Sequence, residues 1–186
     1  MTTKGKENES AISPVVGVML MLVVTIIIAA VVSAFAGSSI SGQNKVPQAT
    51  IQGKFSISTG MTISNAGGDP LATNDLVFTV RNSNLFGSNL EQKTAQVINK
   101  TLITNSSNTS ILDSTTGSIN VPAYVTGDTW YISKDNIACS TLQPAVANLS
   151  SDYCFNNTAN IGKTFVLEVS DSKGDLISKT DVTISS

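Results

Sequence analysis

Residues 11–44 carry no charged side chain, and residues 15–36, VVGVMLMLVVTIIIAAVVSAFA, are apolar at nearly every position. A helix apolar on all faces has to be buried all round, in lipid or in other protein. At 1.5 Å per residue this core spans roughly 33 Å, close to a hydrocarbon thickness of about 30 Å. Ser13 is placed to cap the first turn and Pro14 suits the first helical position, so the helix is expected to start there. Ahead of it, residues 1–10 read MTTKGKENES, a polar leader with Lys4, Lys6, Glu7 and Glu9. The switch from polar to apolar falls between Ser10 and Ala11.

Small polar residues with Gly37, Gly42 and Pro47 make residues 37–48 a linker, although Ile40 could extend the helix by a turn. From residue 49 the period becomes two. TIQGKFSIS sets Ile51, Phe55 and Ile57 on one face, Met61 and Ile63 follow, and NAGGDP at residues 65–70 reads as a tight turn. DLVFTVR alternates Leu76, Phe78 and Val80 with Val77, Thr79 and Arg81. Further strands are expected in VINKTLIT, INVPAYV, TWYIS, TFVLEVS and LISKTDVTIS, the last two joined by DSKGD. The predicted class is therefore α+β: leader 1–10, hydrophobic helix 11–36, linker 37–48, and an all-β head over residues 49–186. That head is expected to be a β-sandwich or a partly open barrel.

Composition narrows the function. The chain has 186 residues, enough for one domain behind the helix. It has 11 basic and 13 acidic residues and no basic cluster, which gives no footprint for nucleic acid. It contains no histidine, which excludes Ser-His and Cys-His nucleophiles and HExxH zinc sites. Phosphate-cradling glycine loops are absent, and Asp69, Asp75, Asp113, Asp128 and Asp135 sit where turn formation explains them. The reading is of a non-enzymatic chain without cofactor or metal.

The segment ESAISPVVGVMLMLVVTIIIAAVVSAFA resembles the N-terminus of archaeal type IV pilins, with their short charged leader, small residue before the cut and SPVVGV-like helix start. The phrases ISNAGGDPL, VTGDTWYI and VLEVSDSKGDLISKTDVTI are similar to elements of the heads that follow such segments. The resemblance implies cleavage by a prepilin peptidase between Ser10 and Ala11, with the whole helix kept on the mature protein. It further implies a membrane-held precursor, partners in the pilus assembly machinery, and a homopolymeric filament of copies of the chain on the cell surface, used for adhesion. One departure from the bacterial pattern is Val15, at the fifth mature position, where bacterial type IV pilins keep a glutamate. Small residues at Gly17, Thr25, Ala29, Ser33 and Gly37, interrupted by Met21, form a stripe that would permit close helix packing.

Other readings of the same stretch are an uncut anchor holding a monomeric extracellular adhesion or ligand-binding domain, and a secretory signal cut after Ala34-Phe35-Ala36. In the head, Cys139 and Cys154 are the only cysteines, and in an exported chain they read as a disulfide closing a loop of about 16 residues, with two buried thiols as the alternative. Sequons occur at Asn99, Asn105, Asn108, Asn148 and Asn156. In a region so rich in Asn, Ser and Thr their number says little, but Asn105 and Asn108 lie in the polar NSSNTS, expected to be an exposed loop open to N-glycosylation.

Overall fold

The computed structural model describes residues 14–40 and 45–186, and it divides into two compact units, Met1–Lys45 and Val46–Ser186. In the first, α1 runs Pro14–Ile40, 27 residues, so it continues past Ala36 through the turn that Ile40 permits. The expected cap Ser13 and the leader lie outside the described residues.

The second unit is built from ten strands. They are β1 (Ala49–Ser56), β2 (Gly60–Gly68), β3 (Leu71–Ala72), β4 (Leu76–Asn82), β5 (Gln96–Val97), β6 (Ile103–Thr104), β7 (Ala123–Tyr124), β8 (Thr129–Ser133), β9 (Thr164–Asp171) and β10 (Leu176–Ser185). Eight of them form one sheet in the order β5-β4-β9-β10-β1-β2-β8-β6, and β3 pairs with β7 apart from it. Pairing is antiparallel throughout except for β1 and β10, where Phe55 lies opposite Ile184.

Two inner-face rings show that this sheet is strongly curled. Phe78 of β4 and Trp130 of β8 belong to strands five steps apart, which in a flat sheet would separate them by about 24 Å. Their ring centroids lie 5.9 Å apart. The inner face has closed around one core, which also holds Ile51, Phe55, Ile63, Phe165 and Val182. Of the two arrangements the sequence left open, this is the partly open barrel, with β5 and β6 as its edges.

Alternation explains most of it. In β4, Leu76, Phe78, Val80 and Asn82 are buried while Val77, Thr79 and Arg81 are half-buried, as period two requires. In β1, Gly53 falls between Ile51 and Phe55, and a Cβ there would meet Val182 Cγ2 at 2.5 Å and Leu167 Cδ2 at 3.3 Å. Glycine lets the neighbouring strand's valine into the core.

Three expectations need correction. Asn65 to Gly68 are not a turn but the end of β2, paired with β1 through a bulge between Thr50 and Ile51. Gly68, at φ 117°, sits so close to Gln48 that a side chain would run into its carbonyl. VINKTLIT is not one strand, because Asn99 caps a short 3-10 turn at Lys100–Leu102 and splits it into β5 and β6. INVPAYV contributes only the two residues of β7.

Candidate functional site

On α1 every described side chain from Val15 to Phe35 is exposed. Val15, Val18, Met19, Leu20, Met21 and Phe35 each leave about two thirds or more of their area uncovered. The Val15–Phe35 stretch is long and apolar enough to cross a membrane. Near mid-helix the Thr25 hydroxyl donates to the Leu22 carbonyl at 2.9 Å, so it asks for no outside partner. The element is a rod whose entire described surface favours leaving water, at roughly 25 cal/mol per Å² of apolar area. Residues 10–51, covering this helix and reaching the first strand of the head, match the family described as archaeal type IV pilin, N-terminal. Over those residues the chain is similar to that family's N-terminal segment. No curated protein matches the chain.

Helix α1 places Gly17, Thr25, Ala29 and Ser33 on its open surface, and a Cβ added at Gly17 would meet no neighbouring group within 4 Å among the described residues. Gly37 lies within the helix as well. The processing pair, Ser10 and Ala11, lies outside the described residues.

In the head, Cys139 and Cys154 form the disulfide. The stapled loop has no period of its own, yet Leu142, Val146 and Phe155 are fully buried, and the rings of Phe155 and Phe165 stack at 4.0 Å. Two short helices, α2 (Cys139–Leu142) and α3 (Pro144–Ala147), carry the first two. Polar side chains that sequence reading missed fasten this loop. Gln143 accepts the Phe155 N–H at 2.9 Å, while Asn160 donates to the Asp152 and Cys154 carbonyls, each at 2.8 Å. Lys163 in turn donates to Asn160 at 2.8 Å and sits 4.8 Å from the centre of the Phe86 ring. An uneven polar content within an apolar core is the signal, and no periodicity scan registers it.

Where the chain enters the head, Asp69 closes a reciprocal clamp. Its N–H donates to the Gln48 carbonyl at 2.8 Å and its carboxylate accepts the Gln48 N–H at 3.1 Å. The GGDP phrase, read above as part of a tight turn, holds the incoming backbone.

The outer face carries a charge relay across three strands. Arg81 of β4 meets Glu168 of β9 at 2.8 Å, and Lys179 of β10 lies 3.5 Å from Glu168 and 3.2 Å from Glu91. Hydrogen bonding to Glu91 leads the effects that raise the Lys179 pKa. Burial lowers that of Lys100, whose ammonium donates to the Thr73 and Asn74 carbonyls, and nearby Asp75 partly offsets the effect. Asp113 is held below the usual carboxylate range by N–H groups of Thr116 and Thr115.

The five sequons differ. Asn99 and Asn105 use their side-chain oxygens to accept backbone N–H groups, from Thr101 at 3.0 Å and from Ser107 and Thr109 at 3.0 and 2.9 Å. Asn108, with φ 58°, and Asn148 are exposed, and Asn156 is half-buried.

Proposed function

We propose that this chain is a structural subunit of an extracellular archaeal type IV pilus, cut by a prepilin peptidase between Ser10 and Ala11. It polymerises through α1 and presents the β head for surface adhesion. The observation that carries the reading is the uninterrupted exposure of an apolar helix from Val15 to Phe35 on a chain with a separately folded head. Lipid covers that surface before assembly, and copies of the same helix cover it afterwards.

The small-residue stripe supports contact with more than one neighbour. Each four-residue step advances about 40° around a helix of 3.6 residues per turn, so Gly17 and Ser33 lie about 160° apart. A single dimer seam would keep to one side, whereas a helical polymer surrounds each rod. With Val15 where bacterial relatives keep a glutamate, register rests on packing and on head contacts. The exposed sequons Asn108 and Asn148 are the best placed to carry sugar, because their side chains are not engaged in caps.

The test is the mature N-terminus together with the state of the protein on cells. Ala11 at the start, and recovery of the chain in high-mass filaments sheared from cells, is the expected result. Met1 or Thr2 at the start of a detergent-soluble monomer would establish the anchored adhesion domain instead, and Gly37 a secreted head.

A further inference from the structure

We propose that a groove of about 300 Å³ on the head, between residues 105–106 and the start of β8, binds a saccharide of one or two rings. The groove exists because β6 stops early. Thr104 is its last residue opposite β8, paired with Tyr131, and the chain then turns away at Asn105. The strip beside Thr129, Trp130 and Tyr131 is left open and is closed on its other sides by Ser106, Val121 and Asp128.

The lining has the chemistry of sugar recognition. Tyr131 alternates with buried Trp130 and Ile132 along β8, so its ring stands on the outer face, 40% exposed, as a flat apolar platform for the C–H face of a pyranose. Around it are groups that bond hydroxyls. The Asn105 side-chain oxygen is taken by two backbone N–H groups, which leaves its NH2 as a donor. Asp128 uses Oδ2 to accept the Val125 N–H, leaving its other oxygen as an acceptor. Ser106 and Thr129 add hydroxyls that both donate and accept. No cationic side chain lines the groove, which argues against phosphate or carboxylate ligands, and one carboxylate is too few for a divalent cation.

The walls are fixed before any ligand arrives. Asn105 N–H donates to the Thr109 carbonyl at 2.9 Å and Asn108 N–H to the Asn105 carbonyl at 2.9 Å. On the other side Asn65 N–H donates to the Asp128 backbone carbonyl at 3.0 Å and Gly127 N–H to the Asn65 backbone carbonyl at 2.8 Å. Little ordering cost remains for binding. The volume is at the small end for ligand sites, which limits the occupant to a short saccharide. Two sources share that chemistry: a sugar of the surface being gripped, and a glycan on the chain's own Asn108. The inference gives the adhesive role proposed above a chemical target and rests on that reading only for its biological use.

The experiment is saturation-transfer NMR on the full chain, produced without N-linked sugar and held in a detergent with no sugar headgroup. It is titrated with glucose, galactose, mannose, N-acetylglucosamine and N-acetylgalactosamine. Transfer to the ring C–H protons of at least one is expected, retained in Tyr131→Phe and about tenfold weaker in Tyr131→Ala, with Trp130 fluorescence checking that the fold is kept. Transfer from none of the five, or equal transfer with Tyr131→Ala, overturns the site. The same titration on chain taken from its own cells separates the sources. Signal that returns only in Ser107→Ala/Asn108→Gly assigns the groove to the tethered glycan, and signal already present in the unaltered chain assigns it to an outside sugar. Sugar binding by a chain that never forms filaments would overturn the pilus role and leave the groove standing.

Discussion

The side-chain NH2 of Gln143 donates to the side-chain oxygen of Asn82 at 3.2 Å, with both residues fully buried. This bond ties the disulfide loop to β4. Asn82 continues it, donating to the Tyr153 carbonyl at 2.8 Å while its own N–H reaches Thr94 at 3.0 Å. Replacing Gln143 by Leu keeps much of the volume but strands the Asn82 oxygen and the Phe155 N–H in an apolar interior. A loss of about 2–5 kcal/mol is expected, measured by denaturant unfolding of the detergent-solubilised chain.

Cys139→Ala/Cys154→Ala should cost about 3 kcal/mol, because the 15-residue separation closes a loop of the size for which that figure holds. Hydrogen exchange should locate the effect. The amides of Leu142, Val146 and Phe155 should lose protection before those of Phe78 or Val182, since the polar bonds alone then hold the loop.

Gly53→Ala should destabilise the head by about 1–3 kcal/mol through overpacking against Val182 and Leu167, read as a lowered midpoint in thermal unfolding. Gly53→Ala/Val182→Ala should recover part of the loss, because the second change removes the methyl that the new Cβ meets.

Stability should be flat across neutral pH, since no histidine is present to titrate there. The acid limb includes Asp113. Its pKa is lowered on folding, so its contribution is present above the ordinary aspartate value and lost as pH falls through the lowered one. The alkaline limb includes Lys179, whose pKa is raised. Its contribution is present below the ordinary lysine value and lost as pH rises through the raised one. Lys100, lowered by burial, acts in the opposite sense, so its penalty is relieved as pH rises. Thermal midpoints measured against pH should therefore show a steeper alkaline fall in Lys100→Met than in Lys179→Met.

Gly17→Leu should leave membrane insertion unchanged and reduce filament recovery severalfold. A Cβ added at Gly17 would meet no neighbouring group within 4 Å among the described residues, so in the proposed filament added bulk acts on neighbouring copies. Quantitative blotting of the membrane and sheared fractions checks it.

The sequence made the regular parts legible and left the irregular ones hidden, for physical reasons. β4 and the second half of β10 alternate because one face is core and the other is more open to water, and a period of two announces that. β2 was cut short in the reading because Asn65, Gly67 and Gly68 carry turn chemistry. Their pairing with β1 is tertiary, and the bulge at Thr50 and Ile51 absorbs the irregularity. The split in VINKTLIT depends on Asn99 capping and on Lys100 reaching the carbonyls of Thr73 and Asn74, far away in sequence. The stapled loop stayed opaque because Gln143, Asn82 and Asn160 fasten it through specific polar bonds, which have no period. The helix was readable over residues 14–36 because its described side chains from Val15 to Phe35 are exposed, so its apolar run is not interrupted by contacts the sequence would hide.

The clamp between Gln48 and Asp69 sits where β1 begins, and β1 lies in the interior of the sheet, flanked by β10 and β2. Tension arriving through Val46 therefore loads β1 lengthwise, against hydrogen bonds on both flanks that must give way together and not one after another. If the head adheres while α1 is held in a filament, as proposed above, that load runs along β1, with Asp69 as the first latch to carry the force.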